Sequence, residues 1–124
     1  MDSTVRSALS KTQLAGALDN LPVGITIIDL SGHILYYNDY CARFVGRKPE
    51  YIGRDIRACH QERESVAKID AMLKVLTEGR EREVCYENRR GPHHLAVTVS
   101  RFEVDGELIG FIQSFVVMNQ LFAR

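Results

Sequence analysis

Apolar and polar positions alternate along this chain with two different periods, and the places where one period gives way to the other mark the elements. Between Asp2 and Asp19, Val5, Ala8, Leu9, Leu14, Ala15, Ala17 and Leu18 form an apolar stripe behind the capping types Asp2, Ser3 and Thr4. This pattern predicts an amphipathic helix that ends near Asn20. Pro22 then forces Leu21 away from helical geometry, giving a sharp junction. Leu21 to Leu30 is rich in β-branched residues, Ser31-Gly32 supplies a turn, and Ile34 to Tyr37 resumes the strand pattern, so a β-hairpin is predicted. Asn38 is placed to cap a short helix over Asp39 to Val45, with Cys41, Phe44 and Val45 on its buried face and Gly46 to stop it. Gly53 to Cys59 reads as a further helical turn. From Gln61 to Glu78, Val66, Ile69, Met72, Leu73 and Leu76 recur at helical spacing, and Gly79 ends the run.

Period-two alternation returns afterwards. Val84 and Tyr86 share one parity, Leu95, Val97 and Val99 a second, and Ile109, Phe111, Phe115 and Val117 a third, with turns at Arg89 to Pro92 and at Val104 to Glu107. Asp105-Gly106 is the strongest hairpin signal in the chain. The predicted architecture is α+β: a five-stranded antiparallel sheet with helices on one face, preceded by the N-terminal amphipathic helix. Such an arrangement leaves room for a ligand between the concave sheet face and the long helix. The N-terminal helix has no place in that core unless it folds back, so its apolar stripe predicts a homodimer.

Composition narrows the function. The chain has 124 residues, the size of one domain, with 16 basic and 16 acidic side chains. Its charge balance and the absence of a basic stripe argue against direct nucleic-acid binding. Three cysteines without C-x-x-C spacing favour neither a disulfide framework nor a zinc site, and a reducing compartment fits them. The chain shows no signal-peptide pattern and no apolar run of about eighteen residues, so a cytoplasmic location is expected.

The stretch Leu18 to Gly53, with its D-L-S-G-H-I-L-Y-Y-N core and an asparagine after the second strand, resembles the N-terminal half of a PAS domain. Arg54 to Gly79 is similar to the short helices and long connecting helix of that fold, and Glu81 to Gln120 to its last three strands. The resemblance implies an N-terminal helix over 1–20, a PAS domain over 21–120 and a tail over 121–124. It implies a sensory, signal-transducing module that takes a small ligand or cofactor and signals through dimer contacts or to a downstream kinase, cyclase or regulator. Cys59-His60 before the long helix resembles a bacterial subgroup with a Cys-His or Cys-His-Pro element, although Gln61 stands where the proline would be. Some haem-binding members carry their axial ligand in a similar context. That makes His60 a candidate haem ligand, and a metal ligand only through haem. Flavin is the weaker cofactor alternative. Tyr40-Cys41-Ala42-Arg43-Phe44 superficially echoes a photosensory cysteine element but comes too early in the chain.

The candidate cavity lining is Tyr36, Met72, Tyr86, Val97, Val99, Phe111 and Gln113, with Thr98 and Ser100 as further polar groups. His93 and His94 point to opposite faces of a strand and cannot together hold one metal. Cys41 and Cys85 read as buried small hydrophobes. An enzyme is not expected, because no nucleophile elbow, phosphate-binding glycine loop or zinc-hydrolase motif occurs. The alternative to a ligand sensor is a ligand-free dimerisation module, its cavity filled by Phe44, Met72, Phe111 and Phe115.

Overall fold

The computed structural model describes residues 6–59 and 63–118. Helix α1 (Lys11–Asn20) leads into strands β1 (Gly24–Asp29) and β2 (Ile34–Tyr37), then helix α2 (Asp39–Val45). Two short 3₁₀ turns, Pro49–Tyr51 and Ile56–Cys59, precede helix α3 (Arg63–Thr77), and strands β3 (Glu83–Arg90), β4 (His93–Val104) and β5 (Glu107–Val117) complete the fold. The five strands form one antiparallel sheet in the order β2-β1-β5-β4-β3, so the first and last strands lie side by side near its centre.

The hairpins follow from local chemistry. Asp29 closes the β1–β2 turn, its carboxylate accepting from the backbone N–H groups of Ser31 and His33 at 2.9 Å. At the β4–β5 turn both Asp105 and Gly106 have positive φ, 53° and 79°, as a type I′ turn requires. Strand parity then sorts the side chains. Thr26 and Ile28 of β1, Leu95, Val97 and Val99 of β4, and Phe111, Phe115 and Val117 of β5 are buried on the inner face. Leu73 and Leu76 of α3 close over them. Fully burying a leucine contributes about 1.5–3 kcal/mol, so this face of α3 is what holds it to the sheet.

Helix α1 departs from the expected span. Residues 6–10 are not helical, and the helix starts at Lys11 because Ser10 forms a capping box with Gln13. The Ser10 hydroxyl accepts from the Gln13 backbone N–H at 3.1 Å and the Gln13 side-chain oxygen Oε1 accepts from the Ser10 N–H at 3.0 Å. This reciprocal pair satisfies two otherwise orphaned donors and outcompetes a start at Asp2; residues 1–5 lie outside the described residues. Cys85 is a second correction. It is exposed, because it sits on the outward parity of the edge strand β3, opposite Thr98. Cys41 is buried as expected.

Candidate functional site

A cavity of about 30 Å³ lies between the inner sheet face and α3, lined by Ile28, Ile56, Ile69, Met72, Leu73, Tyr86, Val99 and Gln113. Six of these eight are apolar. The two polar groups, the Tyr86 phenol and the Gln113 amide, belong to β3 and β5, and the Gln113 nitrogen donates to the Tyr86 oxygen at 3.5 Å. Burial pushes the Tyr86 phenol above its usual value, against the opposing pull of the Gln113 hydrogen bond and the Arg47 and Arg90 charges, so it stays protonated at neutral pH.

Behind the amide sits Arg47, only 8% exposed. Gly46, in the left-handed region at φ 71°, ends α2 and turns the chain so that Arg47 crosses the inner face above β1 and β5. Its Nη2 donates to Gln113 Oε1 at 3.1 Å and its Nε to Thr26 Oγ1 at 2.9 Å. Thr26 and Gln113 are themselves a cross-strand pair. The Thr26 hydroxyl contacts Cys41 Sγ at 3.2 Å, and the Cys41 backbone N–H donates to Asn38 Oδ1 at 3.1 Å.

Asn38 is completely buried and uses both ends of its amide. Its oxygen also accepts from Ile25 N–H at 2.9 Å, while its nitrogen donates to Leu18 O at 3.0 Å and Val23 O at 2.8 Å. One side chain therefore caps α2, ties it to β1 and clamps the C-terminal end of α1. Asp19 adds a second clamp by accepting from the Asp39 N–H at 3.1 Å. An unbroken polar chain thus runs from Tyr86 at the cavity through Gln113, Arg47, Thr26, Cys41 and Asn38 to Leu18 of α1.

Of the residues expected to line the cavity, Met72, Tyr86, Val99 and Gln113 do so. Val97 and Phe111 are buried core residues on the same face but do not reach the cavity wall. Tyr36 does not belong to this site. A register shift in β2 pairs it with Ile27, on the face opposite Thr26 and Ile28. Its buried hydroxyl lies beside Asp19, and burial followed by that carboxylate raises its pKa. Thr98 and Ser100 likewise have outward parity, each following an inward valine, Val97 and Val99. His93 packs edge-on against Phe44 with ring centroids 5.0 Å apart, and His94 contacts Glu87 at 2.6 Å. His60 lies outside the described residues.

A haem does not fit this site as arranged. The cavity has the volume of a water molecule or two, far below the several hundred Å³ that a large cofactor occupies. Among the described residues no group of three or more His, Cys, Asp or Glu side chains is placed to hold a metal ion. Sequence reasoning missed Arg47, whose inward course depends on the turn at Gly46. Ile56 of the second 3₁₀ turn was also missed, for want of any periodicity.

A central β5-β1 pair, a long connecting helix and a cavity beneath it define the fold class, and the comparisons give the family. A family model described as PAS domain matches residues 22–119, and the chain belongs to the PAS family. The fold is similar to that of the C-terminal domain of a Streptococcus mutans protein, at 22% identity and TM-score 0.79, covering 96% of this chain and 92% of that one. It is also similar to a PAS domain from Colwellia psychrerythraea (16% identity, TM-score 0.70, 89% and 98% covered). A sensory box sensor histidine kinase from Vibrio cholerae is a further structural relative (16% identity, TM-score 0.60, 86% and 89% covered). No curated protein sequence matches the chain. No helix among the described residues is long and apolar enough to cross a membrane.

Proposed function

We propose that this PAS domain is a cytoplasmic, non-catalytic sensor that takes a small organic ligand between the sheet and α3 and reports its occupancy through α1. The observation that carries this reading is the continuous polar chain from the cavity to the clamp on α1. A ligand that displaces Tyr86 or Gln113 shifts Arg47, and Arg47 bears on Thr26, Cys41 and, through them, Asn38. Such a signal needs only a difference in the ligand's affinity for two positions of α1.

The output is contact between copies. Leu14 and Leu18 on α1 and Leu21 beyond it are 44%, 38% and 38% exposed, and Val116 on the outer sheet face is 44% exposed. A second copy of the chain covering these side chains makes a homodimer whose geometry follows α1. The sensor histidine kinase among the structural relatives makes a kinase the favoured downstream partner.

Thermal denaturation against a panel of small organic acids, amines and alcohols tests the ligand reading. A ligand at about a hundred times its Kd stabilises by about 2.7 kcal/mol, a readily measured rise in Tm. Val99→Phe fills the cavity from β4. The reading predicts that at least one compound raises the Tm of the natural protein and leaves that of the folded Val99→Phe variant unchanged. Equal shifts in both proteins, or none in either, contradict it.

A further inference from the structure

The hydrogen-bonding sense of the cavity's polar end specifies the head group of its ligand. An arginine guanidinium has only donors, so Gln113 must turn its carbonyl oxygen toward Arg47, and the 3.1 Å contact shows that it does. The amide orientation follows from this neighbour and is not free to flip. Gln113 Nε2 is thereby directed to the cavity side, where it lies 3.5 Å from the Tyr86 oxygen. Because that oxygen accepts from Nε2, the Tyr86 O–H is left to point elsewhere, and both groups line the cavity. The remaining wall of isoleucine, leucine, valine and methionine side chains offers no strong acceptor. The polar end of the cavity thus presents two donors, with the one polar oxygen beside them already accepting from Gln113, to an apolar chamber.

We infer that the site selects a small ligand with a hydrogen-bond-acceptor head on an apolar body, a short aliphatic carboxylate, received by Gln113 Nε2–H and Tyr86 O–H. The inference rests on the proposed ligand-sensing role and adds to it the polarity of the ligand. An ammonium head would meet the Gln113 donor and find only the Tyr86 oxygen to accept from it, an oxygen already engaged by Gln113 Nε2, and so would leave a buried charge poorly partnered in a low-dielectric site. The raised pKa of Tyr86 is consistent with this, since a protonated phenol is a donor. The resting cavity is smaller than a four-carbon acid, so entry requires Met72 and α3 to move outward. Methionine, with three rotatable bonds, is the wall residue best suited to that.

Butanoate and butylammonium, matched in length and opposite in head-group sense, are the probes. Their titration into the full chain at pH 7 is followed by the methyl resonances of Met72, Ile69, Leu73 and Val99. The expected result is saturable shifts with butanoate at a Kd at least about tenfold below that of butylammonium, the margin of one charge-assisted hydrogen bond. Tyr86→Phe, which removes one donor and little volume, weakens butanoate by about tenfold and leaves butylammonium unchanged. Gln113→Glu, which keeps an acceptor for Arg47 but loses the cavity donor, abolishes the preference. Equal or tighter binding of butylammonium overturns the acceptor-head inference while leaving a ligand site in place. A failure of both probes to move any cavity methyl overturns the inference. If the denaturation panel is also negative, the ligand-sensing role falls with it.

Discussion

Asn38 joins α1, β1 and α2, with four hydrogen bonds on one fully buried amide. Asn38→Ala removes all four and leaves buried backbone groups unpaired, so a loss of about 2–4 kcal/mol is expected in urea denaturation. Asn38→Asp keeps both acceptor bonds but not the donors, and faster amide exchange in α1 is the expected signature. Gly110 is a second sensitive position for a different reason. A Cβ there would stand 2.1 Å from the Ile28 carbonyl oxygen, a backbone atom that cannot rotate away. Gly110→Ala should therefore separate β5 from β1 and lower the Tm far more than an ordinary surface alanine, by a margin that calorimetry reads directly. The capping role of Asn38 was legible in sequence because a cap acts on the next few residues. Its grip on Leu18 and Val23 was not, since those partners arrive only when the chain folds back. Arg47 was illegible for the same reason, as an arginine beside a glycine and a lysine reads as a surface loop.

Elements formed largely where the hydrophobic periods placed them, and the exceptions have local causes. The S-x-x-Q capping box at Ser10 moved the start of α1 by about two turns relative to the start expected from the apolar stripe. Helix α3 is held at its open side by Arg57, whose Nε donates to Asp70 at 2.6 Å and whose Nη1 reaches Asp55 at 3.0 Å and Ser31 O at 3.1 Å. Asp55 in turn accepts from the Arg57 backbone N–H at 2.9 Å. That backbone bond, opposed by burial and aided by the guanidinium, holds the Asp55 carboxyl below its usual pKa. A lowered folded-state pKa stabilises the fold above about pH 4 and is lost as pH falls through the folded value, so Asp55→Asn should flatten the acid limb of the stability profile below about pH 4. Helix α1 carries the test of assembly. The double substitution of Leu14 and Leu18 by Glu, both exposed in one chain, should convert the proposed dimer to a monomer in sedimentation equilibrium without lowering the Tm of the core.

At the scale of the whole molecule the inward parities were readable, because period-two alternation assigns each strand residue to a face. The errors cluster where that rule fails. The register shift between Ile27 and Ile28 sends Tyr36 to the outer face, and Val97 and Phe111 share the inward parity but sit away from the opening under α3. The volume of the cavity could not be read from sequence at all, since it depends on how closely α3 approaches the sheet. That closeness keeps the cavity water-sized, and in the proposed reading movement of α3 is the first event of sensing. In the same reading the hydrogen-bonded path to Leu18 makes α1 the second. Amide hydrogen exchange, measured with and without the ligand found in the denaturation panel, tests that coupling most directly. Altered protection in both α3 and the Leu14 to Asn20 end of α1, with the α1 change lost in Asn38→Asp, is the predicted result; a change confined to α3 would contradict the proposed link between cavity and output helix.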